Sequence, residues 1–391
     1  MRIFFRKKSQ HLECLVCAIL SIFMIFTLPN VYYISHENLF SIVVAVCEGM
    51  TLIYLFGKNF RQIKLNFVFW ITMYLILSLM YYAFNINSFG CLKILIVFLP
   101  FCICFFHFVK AEKFADIYVK IAVVFSFIFF LSWLAVITGF LHVSSAFMME
   151  WGDGVKVLRY HPLYFNAQRG RNTAIFTEGP VANYFFSISM LMNEFIRKRE
   201  KDTIFFHVVF TLSIISTGTT TGFLFLLFFS VYFLYFHYGR NTTHAKLYKC
   251  LMLFALPVVA VVLMCLIKVF LESKLETKSG MVRLLMMTRE IEAFFHNVLI
   301  GNGFSSYSDG SSNSITSLLA DGGILLWSLF YYPIIANVVR GLKRRSRGCL
   351  FCLLFLSVFT VSVFQYTLFT CIVLGILYNK LIETSNVKVV L

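Results

Sequence analysis

The chain has 391 residues, 60% of them hydrophobic, 18% aromatic and only 13% charged, where soluble domains carry roughly 25% charge. That balance excludes a soluble protein, and at about 19 apolar residues per crossing it leaves room for ten or more membrane helices and no sizeable aqueous domain. Lys and Arg exceed Asp and Glu by 34 − 18 = 16, which in such a chain points to charged membrane flanks before it points to nucleic acid.

In chain order, uninterrupted apolar stretches predict helices at 12–34, 39–57, 65–84, 91–109, 117–142, 176–196, 203–217, 221–238, 250–269 and 313–338. The run 349–382 is too long for one helix and carries Gln365, Tyr366 and Thr367 near its middle, so it reads as two short helices in a hairpin. The pair from 203 to 238 is broken only by the polar turn Ser216 to Gly222. The expected fold is an all-α polytopic integral membrane protein of about twelve transmembrane helices, forming one membrane domain over 1–391. The first span follows a basic leader, as a signal peptide would, but has no small-residue cleavage site before Pro29 and Asn30 and is expected to stay.

With both termini in the cytoplasm, every second connection is basic. The cytoplasmic set runs from Arg2, Arg6, Lys7 and Lys8 through Lys58, Arg61, Lys64, Lys110, Lys113, Lys120, Arg197, Lys198, Arg199 and Lys201 to Arg340, Lys343 and Lys380, and collects 24 of the 34 cations. This is the positive-inside pattern. The eleven cysteines lie almost entirely within spans, and Cys14/Cys17 and Cys349/Cys352 keep a CxxC spacing with no nearby His or second pair, which suits helix packing better than metal binding. Neither an internal repeat nor a P-loop is present.

Two long outer loops remain, 143–175 and 270–312, and all the other cations except Lys93 fall in them or at their edges. Cations on that side run against the topological bias, so an anionic ligand is the expected reason for them. Arg159, His161, Arg169 and Arg171 can fork around phosphate oxygens, because guanidinium binds phosphate bidentately and keeps its charge; snorkelling to lipid headgroups is the alternative. Glu178, beside Gly179 and Pro180, suits acid–base work or the orienting of an arginine, against the capping of the next helix or a plain ion pair. Glu48 lies mid-span, where an ionisable group is functional by default. In the second loop, Met281 to His296 reads as an interfacial helix with an apolar stripe of Leu284, Met287, Ile291, Phe294 and Phe295. Arg283 and Glu290 flank one side of the stripe, and Arg289, Glu292 and His296 the other. His296 is either an interfacial anchor or a catalytic group.

Four segments resemble the integral membrane polysaccharide polymerases called Wzy, relatives of the O-antigen ligases. Phe176-Thr177-Glu178-Gly179-Pro180 is similar to the F-x-E-P/G-P start of a span in that family. The turn Ser216 to Gly222 looks like its Ser/Thr/Gly turn, without the Arg often found there. Arg283 followed by Gly301-Asn302-Gly303-Phe304 matches an R…lGxGf segment, and Asn313 with Leu318, Leu319, Gly322 and Gly323 resembles HN…L…G…G, with Ser312 in place of the His. Arg159 and Gly170 fit a looser Arg-x10-Gly pattern. The resemblance covers most of the chain in topology and, at motif level, about 159–323.

The resemblance implies a glycosyltransferase in the bacterial cytoplasmic membrane that joins undecaprenyl-pyrophosphate-linked repeat units at the outer face, with the bilayer and a chain-length regulator as further partners. It implies Arg159, Arg169, Arg171, Arg283 and Arg289 as pyrophosphate-binding residues; with Ser312 where the ligase pattern has its His, the base is Glu178, His161, His296 or Asp309, or no strong base is needed. The first outer turn, Ser35 to Asn38, is too short for an Asp-rich metal site, so neither a metal nor a cofactor is expected. A flippase for a lipid-linked glycan and a ligase-like transferase are the alternatives.

Overall fold

A computed structural model describes residues 2–30, 32–33, 36–59, 65–84, 93–140, 159–161, 164–166, 170–198, 200–233, 278–303, 313–344, 348–361 and 364–385. The longer helices are α1 (Arg2–Phe26), α2 (Glu37–Asn59), α3 (Leu65–Phe84), α4 (Leu99–Phe108, entered through a π-helical turn Lys93–Phe98) and α5 (Ala111–Ile137). They continue with α6 (Gly179–Phe195), α7 (Thr203–Ser216), α8 (Thr220–Phe233), α9 (Lys278–His296), α10 (Ser314–Lys343), α11 (Gly348–Val361) and α12 (Leu368–Ser385). Each predicted span except 250–269, which lies outside the described residues, coincides with one of these helices. One departure from an all-α chain is a short antiparallel strand pair in the first long loop, β1 (Arg159–His161) and β2 (Tyr164–Asn166). The remainder of 143–169 and the segments 270–277 and 304–312 lie outside the described residues.

Among the described residues three helices are long and apolar enough to cross a membrane: α2 over Leu39–Lys58, α5 over Ala111–Ile137 and α10 over Ser314–Lys343. Several apolar helices are shorter: α7 and α8, at 14 residues each, rise about 21 Å against a hydrocarbon core of roughly 30 Å. The outward surface is apolar. On α2 it is formed by Leu39, Ile42, Val46, Met50 and Ile53, and on α3 by Phe69, Met73, Ile76 and Met80, all exposed. Water would penalise such a surface and hydrocarbon accepts it.

The interior is closed by small residues and aromatic rings. A Cβ on Gly375 of α12 would stand 2.7 Å from the Cβ of Cys102 on α4, so these two helices meet backbone to backbone. Phe351, Phe355 and Phe359 stack along α11, and Phe359 meets Tyr331 of α10 at 5.4 Å.

The helix ends sort into two groups. At one end, Glu13 of α1 takes Lys58 of α2 at 3.8 Å and Lys113 of α5 at 3.3 Å, while Arg340 of α10 donates to the Leu381 carbonyl of α12. Arg197, read from the sequence as a topological anchor, is buried there and holds Asp116 at 2.8 Å, Glu200 at 3.0 Å and Asp202 at 2.9 Å, with the Phe206 ring 4.8 Å away. Burial works against its charge, but the hydrogen bonds to Asp202 and Asp116 outweigh that and hold the guanidinium above its ordinary pKa. At the opposite end lie residues 28–30, the segment 170–178, the turn between α7 and α8, the start of α10 and the turn before α12, and the candidate site is built there.

Candidate functional site

The segment 170–178 is stitched to its surroundings by its own backbone. Trp133 of α5 donates to the Gly170 carbonyl at 3.0 Å. The Asn172 amide N–H donates to the Ser216 carbonyl at 2.9 Å, and its side-chain Nδ2 donates to Ser216 Oγ at 2.9 Å. Its Oδ1 accepts from the Ala174 N–H and so stabilises Ala174 at φ +51°, a conformation rare for a residue with a Cβ. Thr177 N–H reaches the Pro29 carbonyl at 3.2 Å, and Phe176 forms a bridge with the buried Asn30. These bonds fix where Arg171 projects. Its exposed side chain runs over the α7–α8 turn, where Cγ and Nε lie 3.5 and 3.6 Å from the position a Cβ would take on Gly218.

A second cluster surrounds a break in α10. Gly323 has φ +59° and ψ −159°, so α10 is two helices joined at that residue. The break exposes carbonyls below it and N–H groups above it, and residues 298–303 satisfy both. Asn302 N–H donates to Ala320 O at 2.9 Å and Gly303 N–H to Asp321 O at 3.0 Å. The Ile324 and Leu325 N–H groups donate back to Val298 O at 2.9 Å and Leu299 O at 3.3 Å. The glycines of the two motif segments are therefore each other's requirement: a Cβ on Gly301 would stand 2.4 Å from Gly322 N, and one on Gly323 2.5 Å from Leu299 O.

Buried polar groups line the half-helix that precedes the break. Asn313 caps it, accepting from the Ile315 and Thr316 N–H groups at 3.0 Å. Ser314 bonds the Tyr331 hydroxyl at 2.8 Å and donates to Phe359 O at 2.7 Å. Thr316 donates to Glu290 of α9, and Gln365 donates to Ser317 at 2.8 Å. The Asp321 carboxylate accepts from Tyr366 at 2.7 Å, while its carbonyl accepts from Tyr81 of α3 at 2.9 Å. Tyr184 of α6 meets Thr370 at 2.8 Å, which ties the α6 start to the same layer.

The predicted residues distribute as follows. Arg159 and His161 sit on β1, paired with Asn166 and Tyr164. Arg169 lies outside the described residues. Glu178 is half-buried at the N-cap of α6 with extended backbone, but its side chain makes no capping bond, so the capping alternative falls away. Arg283, Arg289 and His296 are all exposed on α9. Leu284, Ile291 and Phe295 of its apolar stripe are exposed, and the face against α10 is carried by Glu290 and Ala293. A small residue and a hydrogen-bonded acid allow the close backbone approach that the interlock at 298–303 demands, and the large side chains are left outside.

Sequence reading missed Asp321, Glu290 in its buried role, and a second buried set at the other end of α6. There Glu194 accepts from Tyr232 at 3.0 Å and pairs with His207 at 3.1 Å. The signal was present, since the rule that flags an ionisable group inside a predicted span applies to Asp321, Glu194 and His207 as it does to Glu48.

No protein-family model, curated protein or solved structure matches this chain. Among the described residues no group of His, Cys, Asp and Glu has the arrangement of a metal site.

Proposed function

We propose that this chain is a membrane glycosyltransferase of the Wzy type, which joins undecaprenyl-pyrophosphate-linked oligosaccharide units into a surface polysaccharide. In this reading it has about twelve spans, both termini lie in the cytoplasm, and the site end faces outward from the bacterial cytoplasmic membrane. One observation carries the reading: the motif segments 176–180, 216–222, 301–303 and 313–323, far apart in sequence, gather at one end of the bundle. Arg171 stands over the same turn in which the family pattern places an arginine and this chain has none.

The chemistry follows from charge. A sugar hydroxyl of one lipid-linked unit attacks the anomeric carbon of the growing chain, a C–O bond forms, and the bond to the lipid pyrophosphate breaks with its electron pair leaving on phosphate oxygen. Arg171, with Arg159, Arg169, Arg283 and Arg289, stabilises that departing charge by fixed electrostatics. Glu178, at the start of α6, takes the hydroxyl proton, with His161 and His296 as the other groups able to do so. The polar layer from Asn313 to Asp321 positions α9 and its two arginines through Glu290 and the interlock.

The test is a deletion strain complemented with Arg171→Ala, Arg283→Ala or Arg289→Ala, and a gel of the surface glycan. Loss of polymerisation leaves single-repeat glycan outside the cell. Full-length chains from Arg171→Ala and Arg283→Ala at normal protein level would overturn the proposal. A second reading, transport of the lipid-linked glycan, draws on the buried acid Glu48; loss of transport would leave no glycan outside at all.

A further inference from the structure

We propose that Glu48 is a proton-binding site in the middle of the membrane, separate from the arginine-bearing end and independent of the glycan reading. Glu48 is the tenth residue of the apolar stretch Leu39–Lys58, so about 15 Å of helix lies on either side of it. It is 3% exposed, on the face of α2 that also buries Ser41, Val44 and Leu55, while Leu39, Ile42, Val46, Met50 and Ile53 point outward. Neither carboxyl oxygen has a hydrogen-bond partner among the described residues.

The groups facing it are chemically plain. α4 presents Cys102 and α12 presents Cys371, the two titratable side chains that interact electrostatically with Glu48. Among the described residues no Lys, Arg or His charge acts on it. An ionised carboxylate in such surroundings loses its hydration and gains no counter-charge, which disfavours the charged form. A bound proton removes the charge. Any movement that brings water to this face of α2 ionises the group, and its closure requires the proton to return, so opening of α2 and proton exchange are one event. Ser41, two turns toward the start of α2 and likewise unpartnered among the described residues, lies on the same face.

Dicyclohexylcarbodiimide, an apolar reagent that attacks protonated carboxyls from the bilayer, is the probe. The carboxylic O–H adds across one C=N bond, oxygen to carbon and proton to nitrogen, and the acyl group then migrates to nitrogen, leaving an N-acylurea that contains every atom of both reactants. With the full chain in lipid nanodiscs, mass spectrometry is expected to find one added reagent on the peptide containing Glu48 at neutral pH. Labelling should fall about tenfold per pH unit above the titration point. A water-soluble carbodiimide with an amine should label exposed Glu112 and Glu292 instead. The infrared spectrum should hold a deuteration-sensitive carboxylic acid band that Glu48→Gln removes. An unreactive Glu48 in folded wild-type protein, or a wild-type spectrum without that band, overturns the proposal, and neither result depends on the variant folding or on glycan activity.

Discussion

Replacing Gly301 by Ala tests the interlock at the α10 break. The new Cβ would stand 2.4 Å from Gly322 N and 2.5 Å from the Asp321 carbonyl carbon and oxygen. Backbone faces backbone there, so no rotamer change relieves the clash. At φ +73° the alanine adds roughly 1 kcal/mol of left-handed strain. Forcing the chains apart costs about 1–3 kcal/mol and weakens the bonds from Asn302 and Gly303 to Ala320 and Asp321, at about 1 kcal/mol each. The total is about 4–6 kcal/mol, which for a chain of this length lowers Tm by about 5–7 °C. The assay is thermal unfolding in detergent followed by a thiol-reactive dye, because Cys102, Cys352 and Cys371 are buried and free until the bundle opens. Gly49→Ala is the control: nothing lies within 4 Å of its Cβ position, and Ala favours a helix over Gly by about 1 kcal/mol, so Tm should hold or rise. A Gly301→Ala protein that melts with wild type would refute the interlock.

Other substitutions probe the remaining contacts. Arg197→Ala leaves Asp116, Glu200 and Asp202 without their common partner; because these carboxylates are 32%, 50% and 34% exposed, screening limits the loss to about 2 kcal/mol, read as a lower Tm that Arg197→Lys does not restore. Tyr366→Phe removes the donor to the Asp321 carboxylate and should cost about 1–3 kcal/mol by the same melt. Asn172→Ala unties Arg171 from the α7–α8 turn and should shorten the surface glycan at unchanged protein level, whereas a normal chain-length distribution would show that the tie is dispensable. Glycan transfer by the purified protein should survive a metal chelator, and inhibition reversed by added divalent cation would contradict metal independence.

The helices were legible because length and apolarity alone decide them. The runs at 39–57 and 117–142 needed no knowledge of partners to become α2 and α5. Faces were not legible. In a membrane protein both lipid and interior are apolar, so the stripe of Leu284, Ile291 and Phe295 does not tell which face of α9 docks, and Glu290 and Ala293 do the docking. Gly301, Gly303, Gly322 and Gly323 were visible as motif letters, but their meaning is a contact across sequence, and spacing along the chain does not reveal it. The same holds for Asn172 and Ser216, whose pairing places Arg171 where the turn lacks its own arginine. Arg197 read as one cation among many, because its three carboxylates come from α5 and from the segment that follows α6.

The break in α10 also sets an order of construction. Residues 298–303 leave the ribosome before the carbonyls of Ala320 and Asp321 and the N–H groups of Ile324 and Leu325 that will receive them. The docking face of α9, Glu290 and Ala293, therefore gains its partner only after the first half of α10 has been made.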